Sequence, residues 1–336
     1  MKIAILAPTV FPTTDNLYYG GAELFTFYLC KALGKKNIDY TLFASKGSKA
    51  PNGTLVETIA APEKWGTDEE KRAYLMYKDQ LKDFDLIHDH THRGVAYNNK
   101  QLSVVHTFHG ISTWPKLPRN FPRIVTLSEY HRKVTKDKLG CDSRVVGIGT
   151  DPDYFTFNKD AGDYYLHFGL ISEHKGADVS ASICKQLGVK LVIAGEDQFG
   201  VDPVFVEKVK GMCDNKQITY LGRVDTATKY RLIANAKGVL LPFKFGEANS
   251  QILAEALMSG TPVVITPEGA MPELMGRFNG QACFMDNLDK WGGFPRVIDA
   301  IKRSDCRRVA LEHYNMDEMA AKYIALYDAA NKGELW

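Results

Sequence analysis

The sequence predicts an α/β protein built as two parallel-sheet domains, and three observations carry that prediction. Short apolar runs that read as buried strands alternate along the chain with longer stretches of helical periodicity, the rhythm of βαβ units. At 336 residues the chain is long enough to give each of two domains its own core. Glycines fall after or at the ends of expected strands, in Gly20-Gly21, Gly195-Glu196 and Gly222-Arg223-Val224, and the carboxyl ends of strands in such sheets are where ligands bind.

Composition narrows the class. Hydrophobic residues make up 45%, charged residues 24%, and the net charge is +2, so nothing points to a nucleic-acid footprint. Met1-Lys2 followed by Ile3 to Leu6 and then Pro8 is too short an apolar run for a signal peptide, and no later stretch could span a bilayer, so a cytoplasmic protein is expected. The six cysteines form no Cys-x-x-Cys pair and several sit among apolar neighbours, which fits reduced core residues better than a disulfide framework or a zinc site.

In chain order, Lys2 to Leu6 reads as the first buried strand. A loop rich in Pro, Thr and Tyr follows and ends in Gly20-Gly21, and Ala22 to Leu33 alternates as an amphipathic helix with Leu24, Phe27, Tyr28 and Ala32 available for packing. Two glycines just before a helix let the backbone approach a ligand with its amides aimed at an anion. Further strands are expected at Tyr40–Phe43, Asp85–His88, Val104–Phe108, Ile124–Ser128 and Val145–Ile148.

Histidines mark two of these strand ends. In His88-Asp89-His90-Thr91-His92 three histidines spaced by two would share one face of a strand, and with Asp89 they could hold a metal as in some hydrolases, although no further ligand cluster follows. His109-Gly110 stands at the carboxyl end of Val104–Phe108. Trp114 to Arg123, WPKLPRNFPR, holds three prolines, three basic residues and two aromatics, so it should be an extended loop able to bind an acidic or carbohydrate acceptor or to touch a membrane surface.

The second half opens on a strand at Tyr164–Gly169 and a turn, Leu170 to Gly176. Strands at Leu191–Ala194, Ile218–Leu221 and Val239–Leu241 follow, and Met316 to Ala330 reads as a final amphipathic helix. Between them lies the most informative stretch. Val239-Leu240-Leu241 ends in Pro242 and a turn containing Gly246 and Glu247; Asn249 or Ser250 then offers a side-chain oxygen to cap a helix running to about Ser259. Gly260 closes that helix and Thr261-Pro262 launches another buried strand, Val263-Val264-Ile265. Seven residues separate the loop glutamate, Glu247, from the helix glutamate, Glu255. Carboxylates so placed need partners, and a sheet end beside free helix amides is where nucleotide phosphates and riboses usually sit.

The stretch Pro242…Glu247…Glu255-Ala256…Ser259-Gly260-Thr261-Pro262-Val263-Val264…Pro272-Glu273 resembles the donor-binding signature of glycosyltransferase family 4, retaining enzymes with two facing Rossmann-like domains, the GT-B fold. The resemblance covers nearly the whole chain. It implies an acceptor-side domain over 1–155, a nucleotide-sugar domain over 156–315, and a helix over 316–336 that crosses back to the first domain. Gly149-Thr150-Asp151…Phe155 resembles the family's interdomain signature, which places a hinge near 150 to 160.

The resemblance also implies roles for single residues. Lys175 would neutralise charge on the leaving diphosphate, helped by helix amides after Glu247 at Asn249, Ser250 and Gln251. Glu255 would accept hydrogen bonds from the ribose, Glu247 would lie near the donor sugar, and His109 would contact that sugar from the first domain as the cleft closes. Gly20-Gly21 would face the diphosphate and acceptor, and the Arg223-Val224 loop would lie against the nucleobase. One departure stands out: the family's arginine position is Leu170, and an uncompensated charge-assisted contact there would cost roughly 1.5–3 kcal/mol unless Arg277, Arg93 or another basic group replaces it.

The function expected is a metal-independent retaining glycosyltransferase with no cofactor beyond its nucleoside diphosphate sugar, a UDP-sugar favoured, and a carbohydrate or small-molecule acceptor. Two other readings stay open: a non-catalytic sugar-nucleotide binding module of the same fold, motivated by Leu170, and a metal-dependent hydrolase using His88, His90 and His92.

Overall fold

The computed structural model describes residues 1–61, 68–110, 121–278 and 280–336. The chain forms two compact units, one of Met1–Thr150 with Met316–Trp336 and one of Asp151–Asn315. Most of the loop Trp114–Arg123, through residue 120, lies outside the described residues.

In the first unit the chain runs β1 (Lys2–Leu6), α1 (Gly21–Lys35), β2 (Asp39–Ala44), β3 (Thr54–Glu57), α2 (Glu69–Tyr77), β4 (Leu86–Asp89), β5 (Ser103–Thr107), β6 (Ile124–Thr126), α3 (Glu129–Leu139) and β7 (Ser143–Val145). The seven strands pair in the order β3-β2-β1-β4-β5-β6-β7, all parallel. Ile3, Ala4, Ile5 and Leu6 have no exposed surface, because β1 is central and helices cover both faces of the sheet.

The second unit runs β8 (Tyr164–Leu170), α4 (Ala177–Leu187), β9 (Lys190–Glu196), α5 (Pro203–Gly211), β10 (Ile218–Gly222), α6 (Thr226–Asn235), β11 (Gly238–Leu241), α7 (Gln251–Met258), β12 (Val263–Ile265), α8 (Met271–Gly276), β13 (Cys283–Met285), α9 (Phe294–Ala300) and α10 (Arg303–His313). Its six parallel strands are ordered β10-β9-β8-β11-β12-β13. The strand order reverses between β8 and β11, so the loops after those strands flank a topological switch point. Arg303 ties the other end of this sheet together. Nearly buried, it donates to Asn158 O at 2.6 Å, Ala234 O at 2.6 Å, Ala236 O at 2.8 Å and Thr261 Oγ1 at 2.8 Å, so its charge is spread over four oxygen acceptors.

The last helix, α11 (Met316–Asn331), belongs to the first unit. It enters beside Gly149, where a Cβ would come within 2.6 Å of Met316 Cα, so only glycine permits the approach. Tyr323 and Tyr327 are fully buried on its inner face, and Tyr323 Oη lies 2.8 Å from Thr107 Oγ1 at the end of β5.

Three strands depart most from the sequence expectation. β3 and β13 were not expected, and β7 spans 143–145 rather than 145–148. All three are edge strands of their sheets. All six cysteines are free thiols, and among the described residues no helix is long and apolar enough to cross a membrane.

Candidate functional site

Two glycines fix the geometry around Glu247 in the second unit. In the turn after β8, Gly176 has φ +73°, and a Cβ on it would meet Pro242 O at 2.4 Å, so this turn lies directly on the loop that follows β11. Gly269 has φ +63°, and its Cβ would stand 2.2 Å from Glu247 N; next to it, Ala270 N donates to Glu247 O at 2.9 Å. The Glu247 backbone is thereby pinned from one side while the turn carrying His174 and Lys175 closes from the other.

The result is a carboxylate held by two donors on one oxygen. Lys175 Nζ lies 2.5 Å from Glu247 Oε1, and His174 Nε2 bonds the same atom. Burial alone would raise the Glu247 carboxyl, but the Lys175 ammonium and the bond to His174 outweigh it and hold the group below the usual carboxylate range. Glu247 therefore stays ionised. Oε2 receives no hydrogen bond among the described residues. Aromatic faces line the pair: His174 is nearly parallel to Phe245, 5.4 Å between centroids and 5° between planes, and to Phe243, 6.3 Å and 13°, while Lys175 Nζ sits 4.9 Å above the Phe243 ring.

Helix α7 starts beside this cluster. Ser250, not Asn249, is its cap, with Leu253 N donating to Ser250 Oγ at 3.3 Å; Asn249 Oδ1 accepts instead from Ser250 N at 2.7 Å. Gln251 is the first helical residue and Glu255 follows one turn later on the same side. Glu255 is nearly buried, and its Oε1 accepts from Lys229 Nζ of α6 at 2.8 Å. Burial pushes the Glu255 carboxyl up, and the Lys229 ammonium pulls it back without cancelling the rise. The Lys229 ammonium also stands 5.5 Å above both the Phe168 and Tyr230 rings.

At the end of β9, Glu196 is fully buried and organises the next loop. Its Oε1 accepts from Arg223 Nε at 3.0 Å, Arg223 Nη2 at 2.5 Å, and the amides of Gln198 and Phe199 at 2.8 and 2.6 Å. The Arg223 side chain is therefore committed to Glu196, and Val224 beside it is half-buried. Leu170 stands half-buried at the end of β8. Of the cations considered as its replacement, Arg277 is turned to Glu273 at 2.7 Å and Arg93 to Asp68 at 3.0 Å. The basic side chains on Glu247 are Lys175 and His174.

In the first unit Gly20 precedes α1 with φ +125°, where a Cβ would press on Leu17 Cδ2 at 2.8 Å, and Gly21 is exposed as the first residue of the helix. His109 joins a chain of imidazoles. His90 Nδ1 lies 2.9 Å from His109 Nε2, His90 Nε2 lies 3.2 Å from His88 Nδ1, and that atom is also 2.7 Å from Tyr327 Oη. His88 Nε2 in turn lies 2.8 Å from Thr107 Oγ1. Burial, reinforced by the neighbouring rings, holds His88, His90 and His109 well below the usual histidine range, so all three are uncharged.

This corrects the picture of three histidines on one strand face. β4 ends at Asp89, and past that point alternation no longer applies: His92 turns to Glu70, 3.0 Å from Nδ1 to Oε1, while Asp89 accepts from Thr91 and the Ala96 amide and faces His106. Among the described residues no group of three or more His, Cys, Asp or Glu is placed to hold a metal ion.

Sequence reasoning missed His174, Lys229 and Glu196 as site neighbours. His174 was readable as a basic residue beside Lys175; Lys229 carries no local signal, since only the packing of α6 on α7 brings it to Glu255.

Comparisons with known proteins fall on the same two units. The family model described as Glycosyltransferase Family 4 matches residues 19–154, and the model described as Glycosyl transferases group 1 matches residues 163–291. Among solved structures, AviGT4, a glycosyltransferase involved in avilamycin A biosynthesis, is 22% identical with a TM-score of 0.78, covering 100% of this chain and 99% of its own. Sucrose-phosphate synthase from Thermosynechococcus elongatus is 14% identical with a TM-score of 0.79, covering 99% and 100%. Anabaena HepE in complex with UDP-glucose is 15% identical with a TM-score of 0.73, covering 98% and 100%. Comparison with curated proteins returns no sequence match.

Proposed function

The chain belongs to glycosyltransferase family 4 and has the GT-B fold, and from that membership we propose that it is a retaining enzyme. It moves a sugar from a nucleoside diphosphate donor, a UDP-sugar favoured, to a carbohydrate or small-molecule acceptor without a metal ion. The observation that carries this reading is Glu247, an ionised carboxylate with one oxygen locked by Lys175 and His174 and the other open.

In this reading the second unit holds the donor. Glu255 takes the ribose hydroxyls on Oε2, the oxygen Lys229 does not engage, and the loop at Arg223 and Val224 backs the nucleobase. Lys175 and the free amide of Gln251 at the start of α7 receive the diphosphate. Glu247 Oε2 accepts from sugar hydroxyls and faces the positive charge that grows at the anomeric carbon. The bond from that carbon to the diphosphate oxygen breaks with its electron pair going to the leaving group. The acceptor oxygen bonds the same face of the carbon, and its proton passes to the departing phosphate oxygen. Lys175 offsets the charge that develops there, which is the work a metal would otherwise do. The acceptor is held by the first unit, where the uncharged His109 serves as a hydrogen-bonding group.

UDP is favoured because HepE, of the same fold, is seen with UDP and with UDP-glucose. The test is to incubate the protein with UDP-glucose and with GDP-, ADP- and dTDP-sugars, following diphosphate release and the anomeric configuration of the product. One donor is expected to turn over with retained configuration, at a rate unchanged by excess chelator. Inversion, or loss of activity with chelator, contradicts the mechanism; saturable binding without turnover of any donor favours the non-catalytic module.

A further inference from the structure

His174 is the least explained member of the Glu247 cluster. Glu247 is ionised and can only accept, so the proton between the two lies on His174 Nε2. Its other nitrogen, Nδ1, is buried without a hydrogen-bond partner, which means that nothing but the Glu247 bond and the two phenyl faces orients the ring. Lys244 N donates to His174 O at 3.0 Å, which fastens the backbone of the turn but leaves the side chain's direction to Glu247. A second donor on an oxygen already served by an ammonium at 2.5 Å is redundant while the site is empty.

It stops being redundant when a diphosphate arrives. Among the described residues the Lys175 ammonium has no hydrogen-bond or ring partner other than Glu247 and the face of Phe243, so it can answer a second anion. Two anions then compete for one cation, and whichever loses is left half-buried and underserved. Resting on the donor-site reading above, we propose that His174 is a positioning residue that releases Lys175 to the donor diphosphate. Its Nε2–H keeps Glu247 hydrogen-bonded and aimed at the sugar while the lysine turns to the phosphate. Without the imidazole, Lys175 stays on Glu247 and the phosphate is bound less well.

The consequence is a coupling that direct contact would not produce. Removing His174 weakens binding of a diphosphate only while Glu247 carries its charge. The experiment titrates UDP, GDP, ADP and dTDP into the wild-type protein, then compares the best of these with its monophosphate in H174A, H174Q, E247Q and the double variant H174A/E247Q. H174A is expected to weaken the diphosphate about tenfold and the monophosphate less than about twofold. H174Q, whose amide can donate from the place of Nε2, is expected to bind the diphosphate about as wild type does. In the E247Q background, H174A is expected to have no further effect. An undiminished loss in that background, or equal loss for both nucleotides, overturns the partner exchange while leaving the donor site standing. Failure of all four diphosphates to bind wild type overturns the donor reading and this inference with it.

Discussion

Glu247→Gln should reduce donor turnover by about two to three orders of magnitude while leaving nucleoside diphosphate affinity within about threefold. The asymmetry follows from what each oxygen does. Oε1 is occupied by Lys175 and His174, so the charge on Glu247 restrains the lysine in the empty site, and removing that charge does not cost nucleotide binding. In the proposed mechanism Oε2 faces the sugar, and its charge matters most when positive charge appears at the anomeric carbon. Steady-state turnover and calorimetric titration on the same preparation separate the two quantities. Equal losses in both would place Glu247 in ground-state binding and contradict its proposed position.

A larger structural effect is expected at Glu255. With Glu255→Ala the Lys229 side chain, 5% exposed and flanked by the Phe168 and Tyr230 rings, loses its counter-charge. Stranding one member of a buried pair costs about 3–5 kcal/mol, whereas replacing both members by apolar residues of similar volume is often close to neutral. K229M/E255M is therefore expected to regain most of the stability that E255A loses, read from urea unfolding of the second unit. Nucleotide affinity should fall at least about tenfold in both variants, because neither has a carboxylate for the ribose. Wild-type nucleotide affinity in a stable K229M/E255M protein would mean that the Lys229–Glu255 pair serves the fold and the ribose binds elsewhere.

The pair also shows what could be read from the sequence. Glu247, the Ser250 cap, Glu255 and Gly260 lie within one strand–loop–helix–strand unit, where every relation is local and set by helix periodicity and turn chemistry. Their partners are not local. Lys175 and His174 come from the turn after β8, more than 70 residues earlier, and Lys229 from a different helix 26 residues before Glu255. The parallel sheet, which delivers its strand ends to one side, brings the turn after β8 to Glu247, and the packing of α6 on α7 brings Lys229 to Glu255.

The same distinction explains the strands. The central ones are buried on both faces and read as unbroken apolar runs, whereas β3, β7 and β13 are edges of three or four residues, half-covered, with little apolar signal to spare. The histidines failed as a strand-face pattern for a related reason. The period of two holds from His88 to His90, whose rings lie together, and is lost at His92, beyond the end of β4 at Asp89. What replaces it, an imidazole chain ending on Tyr327, spans 239 residues of sequence from His88 and has no local signature.

The central claim is that the second unit binds a nucleoside diphosphate through Lys175, the start of α7 and Glu255. Calorimetric titration of the wild-type protein with UDP, GDP, ADP and dTDP, with and without chelator, tests it most directly. Saturable binding of one of them, UDP favoured, is expected at a single site and with the same affinity in the presence of chelator. Binding of none, or binding that vanishes when divalent ions are removed, would contradict it.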